Sequence, residues 1–343
     1  MRKIVSIFVF CLLFGGLINC QQTLSDKAKE YLRPVVVPAP LDNPTTKEKI
    51  ELGKMLFFDP RMSGSNWISC ATCHNPALGW SDGLSLGFGH DMKPLSRNTP
   101  TILNTAYQTH QFWDGRAETL EEQALGPVES SAEMSQDITV MIGELEELSV
   151  YKNLFDIAFP KEGLTRVNIA KALAAYERTI VSGESPFDRY LKGNLDEIDV
   201  SAKRGFVLFE NKAQCSKCHS GFNFSDNGFH NIGLKDPNGN IDEGRWGAIG
   251  KEAPIKIRAL VGAFKTPTLR DVALTAPYMH NGMYKTLEEV VDHYDRGGDD
   301  LEYLDPNMIK LKLTSEEKKD LVSFLKTLTG EQIQVVLPNL PQN

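Results

Sequence analysis

The chain has 343 residues, of which 41% are hydrophobic and 24% charged, a composition typical of a globular protein with about two domains. Its 37 Lys and Arg against 45 Asp and Glu give a net charge of −8, which argues against nucleic acid as a partner. Six cysteines are too few for a disulfide scaffold of this length.

The amino terminus has the pattern of an export signal. Basic residues precede the apolar run 4–18, which is short for a membrane span and suits a signal h-region. The run ends before Cys20 in a sequence that resembles a bacterial lipobox. We expect residues 1–20 to be a signal peptide and the chain to be exported to the periplasm or outer surface. A lipid on Cys20 would be its only membrane attachment, and ordinary cleavage nearby is the alternative.

Helix-start signals recur along the rest of the chain. Residues 45–48 have the form of a capping box and predict a first long helix. Thr165, Thr286 and Thr314 are candidate caps for three more, the last of which is expected to stop at Gly330. No sustained strand alternation is present, so the pattern predicts a mainly α fold.

Four cysteines lie beyond the amino-terminal segment, in two C-x-x-C-H motifs. The residues of these motifs are Cys70, Cys73, His74, Cys215, Cys218 and His219. Two thiols one helical turn apart can add to both vinyl groups of one haem, and the adjacent histidine then binds the iron. A thioredoxin-like pair or a zinc site would leave the histidines without a role. The motifs therefore predict two covalently bound haem c groups.

The surroundings of the two motifs also repeat. An aromatic-Ser-Asp loop follows each one, at residues 80–83 and 224–228, and predicts two cytochrome c-like haem domains. We expect an N-terminal domain over residues 21–185 and a C-terminal domain over 186–343, with the boundary at Ser185-Pro186. Stretches rich in Gly, Pro and Asn predict long ordered loops that wrap a ligand. They are residues 75–117 and 220–285.

Further stretches resemble the bacterial di-haem cytochrome c peroxidases and their MauG relatives. One is residues 111–127, with Phe-Trp-Asp-Gly-Arg at its start, followed by Glu133-Met134. Another is Thr-Pro-Thr-Leu-Arg at 266–270, which leads to Ala-Pro-Tyr-Met-His-Asn-Gly at 276–282. The resemblance covers nearly all of the mature chain. It implies that the haem on His74 is the peroxidatic one.

The resemblance also implies roles for residues of the haem pocket. Trp113 matches a tryptophan between the haems, a candidate electron bridge. Gln123 and Glu133 match the distal glutamine and the catalytic glutamate, and Pro127 matches a distal-pocket proline. Such a carboxylate takes a proton from one peroxide oxygen and returns it to the other. By itself, Glu133 has the pattern of a solvated acid at a helix start.

Two ligand predictions follow from the same resemblance. His90 lies in a glycine-bounded loop and matches a histidine that caps the N-terminal iron at rest and moves away on activation. An ordinary surface histidine is the alternative. Asn98, Thr275 and Pro277 match positions that bind an interdomain calcium ion through oxygen atoms, and a purely structural role in the loops is the alternative.

The segment 287–294 departs from the usual peroxidase pattern. The axial methionine is replaced by Tyr294, as in the MauG branch, and helical spacing places this residue on a buried face. We expect its phenolate to bind the iron on His219 and to favour Fe(III). A core tyrosine is the alternative, and other candidate ligands stay open. They are Met279, Met283 and His293.

These features predict a di-haem enzyme that reduces hydrogen peroxide to water with electrons from a small cytochrome c or a cupredoxin. One alternative is MauG-like oxidation of residues on a partner protein through high-valent haems, which Tyr294 favours. Another is a non-catalytic electron carrier. The discriminating feature is an acid–base group beside one haem.

Overall fold

The computed structural model describes residues 27–236, 238–250 and 257–342. The predicted signal peptide and Cys20 lie outside these ranges. Within them the chain is mainly helical, as predicted, and no helix is both long and apolar enough to cross a membrane. The α-helices are α1 (Lys47–Phe58), α2 (Cys70–Cys73), α3 (Leu120–Ala124), α4 (Gly126–Glu129), α5 (Ile138–Glu146), α6 (Ser149–Ala158), α7 (Arg166–Glu177), α8 (Pro186–Leu191), α9 (Val200–Glu210), α10 (Gly244–Ile249), α11 (Leu287–Asp295) and α12 (Ser315–Lys326). The strands β1 (Phe229–His230) and β2 (Phe264–Lys265) pair antiparallel.

The long helices begin close to the predicted caps. Thr165, Thr286 and Thr314 each accept a hydrogen bond from a first-turn backbone N–H, which satisfies one of the donors that a helix start leaves free. The helix starts at Thr286 and Thr314 are in addition capping boxes, which the side chains of Glu289 and Glu317 close. Sequence patterning therefore fixes these helix starts locally.

Two helix ends differ from the prediction. The cap of α1 is Thr46 rather than Thr45, because the Thr46 side chain accepts the first-turn hydrogen bond. The last helix ends at Lys326 instead of continuing to Gly330. The Gly330 backbone N–H donates to the Asp271 carboxylate at 2.9 Å, so the chain there is bound to a loop rather than to a further helical turn.

Each half of the molecule is built on a pair of crossing helices with its own apolar core. Helix α1 crosses α7 at Gly53, where an added Cβ would lie 1.9 Å from the Ala172 carbonyl oxygen. Helix α9 crosses α12 at Gly205, where a Cβ would lie 2.0 Å from the Asp320 carbonyl oxygen. Only glycine permits backbones this close. The predicted repeat is thus confirmed as two cytochrome c-like halves.

A further repeat becomes clear when the two halves are compared in three dimensions. Residues 98–104 (Asn-Thr-Pro-Thr-Ile-Leu-Asn) and 265–271 (Lys-Thr-Pro-Thr-Leu-Arg-Asp) end in left-handed residues, with φ of 62° at Asn104 and 58° at Asp271. Asn104 accepts a hydrogen bond from the Ser182 backbone N–H, and Asp271 accepts one from the Gly330 backbone N–H. Both donors follow the last helix of their half. Asn98 in one half therefore corresponds to Lys265 in the other.

The ends of the described chain pack on opposite halves. Tyr31 is buried in the second core and stacks on Phe224 with ring centroids 4.8 Å apart. Near the carboxyl end, Ile333 and Val335 pack against the first core. The two halves are consequently tied together by both ends, and the domain boundary at Ser185-Pro186 stays a prediction.

Arg270 provides a test of the interior of the second half. It is 0% exposed, pairs with Asp188 at 2.8 Å and donates to the Phe222 carbonyl at 2.8 Å. Arg270→Met removes the nearest cation from a buried carboxylate, whose next cation, Arg33, is 3.8 Å away, so we expect a loss of about 3 kcal/mol in unfolding free energy. The measurement is denaturant unfolding of the holoprotein followed by circular dichroism. Arg166→Met, which breaks an exposed pair with Glu129, should cost less than about 1 kcal/mol; equal losses would contradict the assignment.

Candidate haem and peroxide site

A cavity of about 1130 Å³ is lined by residues of both halves. All six residues of the C-x-x-C-H motifs line it, and the four cysteines are free thiols rather than disulfides. Burial raises the pKa of the Cys70 and Cys215 thiols, so neither is a thiolate at neutral pH. Thioether formation removes these buried S–H groups altogether.

Backbone carbonyls orient both histidines of the motifs. The His74 Nδ1 lies 3.2 Å from the Trp80 carbonyl oxygen, and the His219 Nδ1 lies 2.8 Å from the Phe224 carbonyl oxygen. A carbonyl only accepts, so each Nδ1 is the donor and each Nε2 keeps its lone pair for a metal. Trp80 and Phe224 both have positive φ, of 61° and 49°. The residues present therefore fit two haem c groups of the same design.

The predicted distal residues meet in the same cavity. Gln123, Pro127 and Glu133 line it together with His74. Gln123 is on α3 and Pro127 is on α4. Glu133 lies in a turn, and its own backbone N–H donates to the Ser130 carbonyl at 3.0 Å. Burial, with the nearby carboxylates of Asp82 and Glu133, raises the pKa of the Cys73 thiol to about 11. Glu133 is thus close to the first haem-attachment motif.

His90 lies outside the lining of this cavity, although its neighbour Gly89 contributes to it. The His90 backbone N–H donates to the Ala132 carbonyl at 3.2 Å, and a Cβ on Gly89 would lie 1.9 Å from that same oxygen. The His90 loop is therefore packed against the turn that carries Glu133. Its role as a removable iron ligand stays a prediction.

Trp113 lines the cavity and is bonded to both halves. Its indole Nε1 donates to the Asn98 carbonyl at 2.9 Å, and its own carbonyl accepts from the Lys265 backbone N–H at 2.8 Å. The Asn98 backbone N–H in turn donates to the His280 carbonyl at 2.8 Å. Trp113 is therefore held by the two corresponding segments of the repeat, which places it at the junction of the halves.

The predicted buried face of α11 does face the cavity. The cavity-lining residues on this helix are Leu287, Val290, Val291 and Tyr294. Burial raises the pKa of Tyr294 above that of an ordinary tyrosine, with the thiols of Cys218 and Cys215 adding to the effect. The Tyr294 hydroxyl is therefore close to the second haem motif, and only a strong Lewis acid would remove its proton at neutral pH.

The structure separates the other candidates for this ligand position. His293 is 0% exposed and is not among the cavity-lining residues. Its Nδ1 lies 3.0 Å from the Tyr284 hydroxyl and its Nε2 lies 2.8 Å from the Ile232 carbonyl, so neither nitrogen is available for a metal. Met283 is outside the cavity lining as well, whereas Met279 contributes to it.

The three residues predicted to bind calcium also lie in this region. Asn98, Thr275 and Pro277 all line the cavity. The Asn98 amide Nδ2 donates to the Leu84 carbonyl at 2.8 Å, which leaves its Oδ1 as the group that can bind a hard cation. Both the shared site and the calcium ion stay predictions.

Several buried charges at the cavity were not indicated by the motifs. Arg97 pairs with Asp242 at 2.7 Å and with Asp114 at 2.5 Å. Glu177 lies beside Cys70 on the same cavity, and burial raises its carboxyl pKa to about 8. The Arg97 contact with Asp242 joins residues far apart in sequence, so no local pattern could have revealed it.

One group of potential metal ligands is better explained by an ion pair. Ligand atoms of Cys218, Asp226 and His230 lie within 4.8 Å of one another. A thioether on Cys218 removes it from this set, and His230 already bridges Asp226 at 2.9 Å and Asp305 at 2.7 Å. The cluster therefore reads as a histidine held by two carboxylates.

Comparisons with known proteins agree with this geometry. Residues 47–196 match the family described as di-haem cytochrome c peroxidase, and residues 202–329 match cytochrome c. The methylamine utilization protein MauG of Methylorubrum extorquens is 47% identical over 322 residues, which cover 94% of this chain and 89% of that protein. The chain belongs to the di-haem cytochrome c peroxidase and MauG family.

Other members of the di-haem peroxidase and MauG family also match over most of their length. Cytochrome c551 peroxidase of Pseudomonas aeruginosa is 36% identical over 327 residues, which cover 93% of this chain and 90% of that protein. The crystal structure of a MauG-like protein associated with microbial copper homeostasis has a TM-score of 0.79 and 31% identity, and the match covers 88% of this chain and 94% of that one. As a family member, the chain is an oxidoreductase that carries haem c.

The number of haems tests the assignment of the two motifs. We expect two haems per wild-type chain by pyridine haemochrome, both retained on haem staining after denaturing electrophoresis, because thioethers survive unfolding. Replacing both Cys70 and Cys73 by Ala should leave one, and so should replacing both Cys215 and Cys218. Ser216→Ala, within the second motif, should keep two; a wild-type value of one would contradict the assignment.

Proposed function

We propose that the chain reduces hydrogen peroxide to water with electrons from a small cytochrome c or a cupredoxin. The observation that carries this proposal is that Glu133, Gln123 and Pro127 line the same cavity as His74, with the Glu133 carboxylate near enough to Cys73 to raise its pKa. His90 is not among the residues that line this cavity. Relatives that are named cytochrome c peroxidases, at 36% identity and above, support the same activity.

The protein residues supply proton transfer and orientation. A haem held by His74 would supply the iron for peroxide binding and the two electrons that the reduction needs. The Glu133 carboxylate takes a proton from one peroxide oxygen and gives it to the other, which then leaves as water. The Gln123 amide donates a hydrogen bond that orients the peroxide, and Pro127 fills the wall without adding a competing N–H. Two further protons complete the conversion to two water molecules.

Trp113 is the proposed electron bridge between the halves. The bond from its indole Nε1 to Asn98 orients the ring, and the bond from the Lys265 N–H to its carbonyl holds its backbone at the junction. External electrons enter at the half that contains His219. A fixed aromatic ring at this junction gives electrons a short path through the protein.

The role of Glu133 is tested by peroxide turnover with reduced cytochrome c. Glu133→Gln keeps the size of the side chain but cannot transfer the proton, so we expect kcat to fall by about 10²–10⁴-fold. The matched control is Glu129→Gln, four residues earlier, whose carboxylate is exposed and pairs with Arg166. Its turnover should equal that of wild type. Retained turnover in Glu133→Gln would sink the assignment, and no peroxide reaction in wild type would favour an electron carrier.

A second candidate function is supported by Tyr294. Its position on the cavity near the second motif favours a phenolate ligand to the iron on His219. A hard anionic oxygen stabilises Fe(III), which makes this haem a poor store for a reducing electron and a good site for sharing an oxidising equivalent. MauG-like oxidation of residues on a partner protein would use that property. Modified residues on a partner, with little cytochrome c turnover, would support it.

The ligand assignment predicts a change in reduction potential. Tyr294→Met replaces an anionic oxygen by a thioether, so the potential of the C-terminal haem should rise markedly. The measurement is a spectroelectrochemical titration of the oxidised protein. Tyr278→Phe is the matched control, because Tyr278 also lines the cavity. In this variant the potential of the C-terminal haem should equal that of wild type. If Tyr294→Met leaves the potential unchanged, the phenolate is not a ligand.

The remaining assignments complete the proposal. We infer that His90 reaches the His74 iron in a resting state by movement of its glycine-bounded loop. Asn98, Thr275 and Pro277 hold a calcium ion at the junction through oxygen atoms. The chain works in the periplasm or at the outer surface after export, and a lipid on Cys20 attaches it to a membrane.

A further inference from the structure

Lys265 is a buried cation on the cavity wall. It is 6% exposed, and its Nζ donates to the Gln108 amide oxygen at 2.7 Å. Among the described residues, no carboxylate forms an ion pair with it, and burial lowers the pKa of its ammonium to about 8. A buried ammonium that faces only a neutral amide is stabilised when an anion lies within reach.

The other cations on the cavity wall already have carboxylate partners. Arg97 is bound by Asp242 and Asp114, and Arg116 also pairs with Asp114. His230 lies between two carboxylates. Lys265 differs from them because it lines the same cavity without a carboxylate partner among the described residues.

The position of Lys265 indicates which anion it meets. It ends β2, two residues before Pro267, whose backbone is within hydrogen-bonding reach of the His219 ring. Its own backbone N–H holds the Trp113 carbonyl. Haem carries two propionate carboxylates, and these are the anions that the cavity's own cofactors bring with them. A lysine is a compact donor that can bind one such carboxylate oxygen.

We propose that Lys265 is the counter-ion of a propionate of the haem held by His219, and that it thereby positions this propionate beside Trp113. The inference rests on the haem c content of the family and not on the peroxidase reaction. It makes Lys265 a positioning residue that links the redox group of the second half to the junction. Asn98, at the corresponding place of the repeat, has no charge, so the two haems differ in this contact.

The test compares Lys265→Met with Lys265→Arg by spectroelectrochemical titration of both haems between pH 6 and 9. Loss of the ammonium leaves a negative carboxylate that opposes electron addition, so Lys265→Met should lower the potential of the His219 haem. The difference should grow as pH rises from 6, because the unpaired propionate of the Met variant loses its proton, whereas in wild type the paired propionate raises the pKa of the Lys265 ammonium and keeps it charged. Lys265→Arg keeps the charge and should retain wild-type potentials. The propionate bending bands in the resonance Raman spectrum should move only in Lys265→Met.

The controls separate charge from folding. Lys285→Met removes an exposed lysine of the same half and should leave both potentials unchanged. The titratable and charged neighbours of Lys265 are the same in every variant, so their effect on the haem potentials cancels when variants are compared at one pH. They are His230 on β1, His280, Asp242 and Arg97. Haemochrome analysis should give two haems for each variant.

Unchanged potentials in Lys265→Met over the whole pH range would overturn the proposal. So would equal shifts in the Met and Arg variants, because charge would then not be the cause. A shift confined to the His74 haem would also overturn it. None of these measurements uses peroxide, so failure here is distinct from failure of the peroxidase function.

Discussion

The orientation of two histidine rings by backbone carbonyls is the constraint on which the site depends. Trp80 and Phe224 adopt a left-handed backbone conformation, and their carbonyls bind Nδ1 of His74 and His219. The rings must then present Nε2 to the cavity, which fixes where each iron can sit. Those two positions in turn determine which role is open to the distal residues, to Trp113 and to the cavity face of α11.

Sequence alone was sufficient for features that depend on neighbouring residues. The haem motifs, the caps at Thr286 and Thr314 and the buried face that includes Tyr294 follow from spacing and periodicity. Contacts made across the fold could not be derived in this way. The hydrogen bonds that occupy both nitrogens of His293 come from residues 284 and 232, and only the folded chain removes this histidine from the candidate ligands.

The Thr-Pro-Thr repeat shows how a duplicated scaffold acquires two different haem environments. Corresponding residues keep the same backbone tasks, such as the bonds made by Asn104 and Asp271. Their neighbours have diverged, since one copy begins with the neutral Asn98 and the other with the buried Lys265. Trp113 contacts both copies through its indole and its carbonyl. The two copies of the repeat therefore share their backbone contacts but differ in charge at their first residue, where the halves meet.

The crossed packing of the chain ends bears on how truncation would act. Tyr31 belongs to the core of the second half, while Ile333 and Val335 pack against the core of the first. Each core is therefore complete only with residues from the distant end of the polypeptide. Shortening the chain at one terminus removes apolar contacts from the half that is remote in sequence, so the termini act as clasps between the two halves.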